Sequence, residues 1–216
     1  MHFQDRSDAG RRLAVELAPF ANQPDLCVLA LPRGGVPVAF EIARALHAPL
    51  DVWVVRKLGA PGIPELALGA IAPGGIELIS PDIARRLRIP PEQIEAIAAR
   101  ERLELDRRTQ AYRGNRPPID VRGQTVILVD DGLATGATMR AAIAALRRLE
   151  PARIVVAVPV AAPSVCQQVA GEADQFLCLF TPPDLDSVGQ WYDDFSQTSD
   201  AEVNDLLTRA AAAETS

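Results

Sequence analysis

Residues 126–139 read VILVDDGLATGATM, and they carry more information than any other stretch of this chain. The four apolar residues at 126–129 are typical of a strand that is buried on both faces of a parallel sheet. Asp130 and Asp131 follow directly, and a turn of small residues then leads into a helical pattern at 139–149. A strand, a small-residue turn and a helix N-terminus form a phosphate site, because unpaired N–H groups and the helix dipole both favour an anion.

The order of these residues excludes two common nucleotide-binding loops. A Walker loop has a Lys before its final Ser or Thr, and a dinucleotide-binding loop has its glycines directly after the strand with an acid about 20 residues later. Here the two acids precede the glycines and no Lys follows. Adjacent carboxylates before a phosphate loop suit a ligand with vicinal hydroxyls and a phosphate, which describes a ribose 5-phosphate.

The sequence DDGLATGAT at residues 130–138 resembles the phosphoribosyl pyrophosphate (PRPP) signature of the type I phosphoribosyltransferases, and is closest to its adenine-type version. The resemblance implies that Asp130 and Asp131 bind the ribose diol. It also implies a 5-phosphate loop made of Leu133, Ala134, Thr135, Gly136, Ala137 and Thr138. Oxopurine-specific members of the family have a third acid where this chain has Ala134, which disfavours hypoxanthine or guanine as the acceptor.

A second apolar run, at residues 26–31, predicts another buried strand that ends in Pro32-Arg33-Gly34-Gly35. Glycines let backbone amides approach an anion, and Arg33 adds a planar cation. By itself this pattern is equally consistent with a plain tight turn. The resemblance implies that Arg33, Gly34 and Gly35 bind the pyrophosphate of PRPP together with Lys57, and that the Pro32–Arg33 peptide bond is cis.

A third apolar run, at residues 50–55, ends in Arg56 and Lys57, and Lys57 is the single lysine in a chain with 21 arginines. The following residues, about 57–66, are rich in Gly and Pro and have no periodicity, which predicts a mobile surface loop. The resemblance implies that this is the flexible catalytic loop, with Arg56 and Lys57 as the basic pair that contacts PRPP. Together with Asp131 they are the catalytic candidates. Glu65 is a candidate proton carrier, although an ordinary loop carboxylate is an equally good interpretation.

Alternation of apolar runs with helical patterns predicts an α/β fold with an open, mainly parallel, twisted sheet and helices on both faces. Residues 66–72 and 76–79 predict a hairpin beside the loop. We expect one domain, with a core at 1–180, helices inserted at about 81–114 and an acidic hood segment at 181–216. Because ligands bind at the carboxyl ends of parallel strands, Arg33, Lys57 and Asp130 are expected along one edge.

Aromatic residues lie at the end of the last predicted strand and in the hood segment. Phe180, Trp191, Tyr192 and Phe195 either stack on the acceptor ring or form the hydrophobic core of the hood itself. From residue 172 to residue 216 there are ten acids against Arg209 alone. This charge disfavours an anionic acceptor such as orotate.

Composition excludes several classes of function. The net charge of −6 and the pI of about 5.0 argue against general binding of nucleic acid or anionic membranes. The sequence has no apolar run of about 18 residues, and its first residues do not read as a secretory signal. Three widely spaced cysteines in apolar contexts predict buried thiols rather than disulfides or a metal site. We expect a cytoplasmic protein that forms a homodimer.

These observations predict transfer of a 5-phosphoribosyl group from PRPP to an unidentified acceptor, usually a nitrogen heterocycle, with release of pyrophosphate. Mg²⁺ is expected to arrive with PRPP and to be held mainly by substrate oxygens. The alternative is a non-catalytic regulatory protein of the same fold that binds PRPP or a nucleotide. A hydrolase or phosphorylase acting on the same sugar phosphate is a third possibility.

Overall fold

A computed structural model describes residues 2–114 and 116–214, without the side chains of Pro64, Glu65 and Glu214. In this part of the chain the helices are α1 (Arg6–Glu16), α2 (Gly35–Leu46), α3 (Pro81–Arg86), α4 (Pro91–Arg113), α5 (Ala137–Arg147), α6 (Pro163–Ala170) and α7 (Asp200–Glu214). The strands are β1 (Leu26–Ala30), β2 (Leu50–Val52), β3 (Arg56–Ala60), β4 (Ile63–Ala72), β5 (Ile76–Ile79), β6 (Thr125–Val129), β7 (Arg153–Val160) and β8 (Gln175–Phe180).

The main sheet has five parallel strands in the order β2-β1-β6-β7-β8. Strand β6 is central and its residues 126–129 are fully buried, because helices cover both faces of the sheet. On one face, Ile127 lies in a cluster with residues of α1, α2, α4 and α7. On the other face, Leu128 packs with residues of α5 and α6. The predicted α/β fold with a mainly parallel sheet is confirmed.

A second, antiparallel sheet has the strand order β3-β4-β5. The hairpin predicted at 66–72 and 76–79 is present as β4 and β5. The prediction of an irregular loop at about 57–66 is wrong, because most of these residues form β3 and the first part of β4. Leu58 and Ala60 alternate inward along β3 and are buried, and the irregular parts are the turn around Gly62 and a shift in strand register at Gly59. The Gly and Pro residues around this turn predict a loop, although Leu58 and Ala60 have the period of two that is typical of a strand.

The C-terminal segment packs against the N-terminus of the chain. Phe3 forms backbone hydrogen bonds with Trp191 and Asp193, both at 2.9 Å. The centroid of the Tyr192 ring lies 5.3 Å from that of Phe3 and 5.0 Å from that of Phe195. These rings form a small core of their own, which supports the second of the two interpretations of the aromatic residues.

One prediction about the thiols needs correction. Cys27 is buried in β1, whereas Cys166 and Cys178 are partly exposed. The reason is position, since Cys178 lies on β8, at the edge of the sheet. Among the described residues, every helix is too short or too polar to cross a lipid bilayer.

Candidate functional site

The two predicted ligand loops meet at the carboxyl edge of the main sheet, because β1 and β6 are neighbours. Leu31 N–H donates to the carbonyl oxygen of Val129 over 2.9 Å, which aligns the ends of both strands. A Cβ on Gly34 would overlap the carboxylate of Asp131, and one on Gly35 would lie 2.7 Å from the carbonyl oxygen of Val129. Because these glycines have no side chain, the end of β6 can lie close to them, and the Arg33 turn contacts the acidic pair.

The turn after β1 presents Arg33 at the surface of this edge. The Pro32–Arg33 peptide bond is cis, as predicted. The guanidinium of Arg33 lies 3.5 Å from a carboxylate oxygen of Asp200, at the start of α7. The N–H of Gly35 donates to the carbonyl oxygen of Leu31 at 3.1 Å, so this predicted pyrophosphate ligand uses its amide within the turn.

Asp131 is held by two residues that are remote in sequence. Arg6 Nε donates to Asp131 Oδ2 at 2.8 Å, and both side chains are largely buried. Arg6 also donates to the carbonyl oxygen of Ser196 at 2.8 Å and stacks 3.9 Å from the centroid of the Phe195 ring. The Tyr192 hydroxyl donates to the main-chain carbonyl of Asp131 at 2.7 Å. The N-terminal helix and the C-terminal segment thus both contact Asp131, the first at its carboxylate and the second at its main-chain carbonyl.

The two adjacent carboxylates have different electrostatic environments. Burial raises the pKa of Asp130 well above its usual value, and the neighbouring charge of Asp131 raises this pKa further. Burial also raises the pKa of Asp131, but the Arg6 guanidinium opposes that shift by charge and by hydrogen bonding. Hydrogen bonds from a ligand's hydroxyl groups would stabilise the charged form of either group. The pair is therefore suited to accept hydrogen bonds from a diol.

The loop between β6 and α5 forms an open turn at the N-terminus of α5. Ala134, Thr135 and Thr138 are exposed, and Gly136 takes the left-handed conformation that the turn requires, with φ of 68°. Leu133 behaves differently, because it is buried and its N–H donates to the carbonyl oxygen of Val160 at 2.9 Å. Within the predicted set of 133–138, the exposed turn thus begins at Ala134, and Leu133 anchors it to β7.

The basic pair after the third apolar run lies on β3. Arg56 Nε donates to Glu101 Oε2 at 2.9 Å, so its guanidinium is bound to α4. Lys57 is half-exposed and pairs with Ala70 of β4. Glu65 lies in β4, but its side chain is outside the described residues. Contacts between Lys57 or Glu65 and the ligand loops stay predictions.

Sequence reasoning missed Arg6, which lies 125 residues before its partner Asp131. It belongs to no motif, and nothing in its neighbourhood distinguishes it from Arg11 or Arg12 on the same helix. Tyr192 was considered only as an aromatic ring, whereas the structure uses its hydroxyl group. Both contacts depend on the long-range packing of the chain termini.

A parallel α/β sheet that carries an Arg-Gly-Gly turn, an acidic pair and an open helix N-terminus at one edge is typical of proteins that bind a sugar phosphate. The particular family follows from comparison with known proteins. The family model described as the phosphoribosyl transferase domain matches residues 3–170, and the chain belongs to this family.

Relatives agree with this assignment. The chain is 46% identical over 208 residues to a Mycobacterium tuberculosis protein named "Putative phosphoribosyl transferase Rv0571c", a match that covers 96% of this chain and 47% of the relative. The chain thus spans about half the length of this curated relative. It is also 40% identical over 129 residues to "Bifunctional protein PyrR" of Chloroflexus aurantiacus, covering 58% of this chain and 65% of that protein.

Solved structures support the fold. The crystal structure of the TT1426 protein from Thermus thermophilus is 44% identical, covers 97% of this chain and 99% of its own, and superposes with a TM-score of 0.88. The AQ2163 protein from Aquifex aeolicus shares the fold at 11% identity, with a TM-score of 0.51 and coverage of 85% and 78%.

Proposed function

We propose that this chain transfers the 5-phosphoribosyl group of PRPP to a nitrogen acceptor and releases pyrophosphate. The observation that carries the proposal is the contact between the Arg33 turn and the acidic pair, where Gly34 lies against the Asp131 carboxylate. In PRPP the pyrophosphate is attached to C1, next to the 2-hydroxyl group of the ribose. A cation beside a carboxylate matches this arrangement, because the cation can bind the pyrophosphate while the carboxylate accepts from the 2-hydroxyl group.

The arrangement of the loops about the sheet also suits PRPP. Helix α2 follows the Arg33 turn and covers one face of the sheet, whereas α5 follows the 134–138 turn and covers the opposite face. A ribose bound at the acidic pair would direct its pyrophosphate toward the α2 face and its 5-phosphate toward the N-terminus of α5. Each anionic group then meets a different loop.

The proposed reaction exchanges one bond at C1 for another. The lone pair of the acceptor nitrogen forms a bond to C1, the bond from C1 to the pyrophosphate oxygen breaks, and its electron pair leaves with pyrophosphate. The acceptor nitrogen loses a proton, for which Glu65 is the proposed carrier. The reacting sugar passes through a positively charged oxocarbenium-like state, so the protein acts mainly by positioning and by charge stabilisation. Asp130 and Asp131 face the developing positive charge, and Arg33 and Lys57 offset the charge of the leaving group.

We further propose that Mg²⁺ accompanies PRPP. Carboxylate and phosphate oxygens are the ligands this cation prefers, and the acidic pair supplies such oxygens beside the pyrophosphate turn. The cation would neutralise part of the pyrophosphate charge when bound. Most of its ligands would then come from the substrate and from water.

Isothermal calorimetry with magnesium PRPP tests the binding step. We expect wild-type protein to bind, and the double variant Asp130→Asn with Asp131→Asn to lose about 100-fold or more in affinity, because two charge-assisted hydrogen bonds are weakened. Asp120→Asn with Glu150→Gln is the matched control. It removes two exposed carboxylates at the opposite, amino-terminal edge of the sheet.

A screen of purine, pyrimidine and other nitrogen bases for pyrophosphate release tests the transfer step. Release with one of them identifies the acceptor. Failure of the wild type to bind PRPP, or unchanged binding by the double variant, would refute the proposal. Binding without release for every acceptor would instead favour the regulatory alternative.

A further inference from the structure

We propose that Arg107 and Arg108 of α4 bind the pyrophosphate of PRPP together with Arg33, and that Asp200 occupies donors of Arg33 and Tyr112 until the substrate arrives. This inference rests on the proposed function and extends it to residues outside the family signature. It concerns a cavity of about 460 Å³ that we call the arginine cavity. The cavity is lined by Pro32, Arg33, Arg107, Arg108, Tyr112 and Asp200.

The arginine cavity lies where the leaving group is expected. Arg33 lines the arginine cavity, and the next residue, Gly34, lies against the Asp131 carboxylate. The cavity therefore adjoins the carboxylate that is proposed to bind the diol. Leu105 and Tyr112 of α4 share a hydrophobic cluster with residues of α2 and α7. The cavity is therefore on the α2 face of the sheet, toward which a ribose at the acidic pair directs its C1 substituent.

Cations predominate in the arginine cavity. Its three guanidinium groups face two carboxylates, Glu104 and Asp200. Glu104 accepts from Arg107 Nε at 2.7 Å and from Arg108 Nε at 2.6 Å. These hydrogen bonds lower the pKa of Glu104 to about 2.

Both Arg107 and Arg108 have N–H donors left for a phosphate while they are paired with Glu104. In the described part of the chain, Glu104 takes two N–H groups of Arg107 and one of Arg108. An arginine has five N–H donors in a planar fork that matches phosphate oxygens. The remaining donors of both side chains are therefore suited to pyrophosphate.

Asp200 imitates an anionic ligand in this cavity. One of its oxygens, Oδ1, accepts from the Tyr112 hydroxyl at 3.0 Å and lies 3.5 Å from Arg33 Nη1. Burial and the hydrogen bond to Asp200 raise the pKa of Tyr112, so its hydroxyl keeps the proton it donates. A pyrophosphate oxygen would compete for the same two donors. The carboxylate should thus weaken pyrophosphate binding in the wild type.

Helix α4 is held in place independently of Arg107 and Arg108. Glu101 of α4 pairs with Arg56 of β3, and it precedes Arg107 by about 9 Å along the helix axis. Leu105 and Tyr112 are buried among residues of α2 and α7, so hydrophobic contacts also hold α4 against this face of the sheet. We therefore expect α4 to stay in place when the two arginines are replaced by glutamine.

Calorimetry with three ligands tests this inference: magnesium PRPP, magnesium pyrophosphate and ribose 5-phosphate. For Arg107→Gln with Arg108→Gln we expect about 10-fold to 100-fold weaker binding of the first two, and ribose 5-phosphate affinity within about twofold of wild type. Arg85→Gln with Arg86→Gln is the matched control, since it removes two consecutive exposed arginines of α3. The control should bind all three ligands as wild type does.

Asp200→Asn is a second test, in which pyrophosphate affinity is expected to rise rather than fall. Removal of the competing charge should raise pyrophosphate affinity about threefold to tenfold, a gain that a purely structural role of Asp200 does not produce. Wild-type protein that fails to bind PRPP overturns the proposed function itself. If the wild type binds PRPP and the double arginine variant binds it equally well, only the proposed role of Arg107 and Arg108 is wrong. That role is also wrong if the variant loses as much affinity for ribose 5-phosphate as for PRPP.

Discussion

The carboxyl edge of the parallel sheet and the region formed by β3, β4, β5 and α4 are constructed in different ways. At the edge, backbone hydrogen bonds and glycine contacts fix the ligand loops, as with Gly34 against Asp131. In the second region, ion pairs between long side chains, such as Arg56 with Glu101, add to the apolar packing between the helix and the small sheet. The comparison indicates that the proposed ribose site and the Arg33 turn are preformed, whereas the side chains that α4 adds to the proposed pyrophosphate site are free to adjust to a ligand.

The largest expected effect comes from Gly34→Ala. Its Cβ would overlap the Asp131 carboxylate, so the turn and the acidic pair must separate. We expect PRPP affinity to fall by about 100-fold or more, measured by calorimetry. Gly171→Ala is the control, because Gly171 has an ordinary right-handed backbone and its new Cβ would meet only normal contacts. A tenfold or smaller loss for Gly34→Ala would show that the edge is not rigid.

The two neighbouring cations of β3, Arg56 and Lys57, are expected to have different roles, one structural and one catalytic. Lys57→Gln should lower kcat about 10-fold to 100-fold, if it stabilises the leaving group as proposed. Arg56→Gln should change kcat/KM by less than about threefold and instead lower Tm, because it breaks the part-buried pair with Glu101. Steady-state kinetics and thermal melts distinguish them. The reverse pattern would place Arg56, rather than Lys57, at the substrate.

Arg6→Gln tests how the protein keeps Asp131 charged. Arg6 opposes the rise in the pKa of Asp131 that burial causes, so its loss lets this pKa rise further. The ionised fraction then falls more at low pH than at high pH. We expect PRPP affinity to fall about tenfold near pH 6 and by less near pH 8.5.

Arg12→Gln is the control for that experiment, since Arg12 lies on the same helix and pairs with Asp8 near the surface. It should leave the pH profile unchanged. An equal loss for Arg6→Gln at both pH values would mean that Arg6 contributes packing rather than charge.

The smallest expected effect concerns stability. The folded state raises the pKa of Asp130 above its unfolded value, so the native protein binds this proton more tightly. Stability of the ligand-free protein should therefore fall as pH rises from about 4 through the raised pKa. Asp130→Asn removes this slope and should raise Tm at neutral pH by about 2–4 °C, the shift that corresponds to about 1 kcal/mol in a domain of this size. Melts across pH measure it, and a slope equal to that of wild type would contradict the assignment.

Structure and sequence-based prediction differ mainly in the second region, at β3 and the first part of β4. Two glycines and two prolines in residues 57–66 predict an irregular segment, but Leu58 and Ala60 have buried positions that give β3 its tertiary support. Local composition describes the turn at Gly62 and not the strands on either side of it. The cytoplasmic location and the homodimer stay predictions.

The amino-acid sequence by itself determined the parallel fold and the ligand loops at 32–35 and 130–138, because each loop is a continuous segment whose residue order specifies a strand, a turn and a helix. Only the tertiary structure decided which distant side chains complete the site. Arg6 reaches Asp131 across 125 residues, and α4 brings Arg107 and Arg108 to the same cavity as Arg33. Such contacts have no local pattern, since they arise from the packing of helices on one face of the sheet.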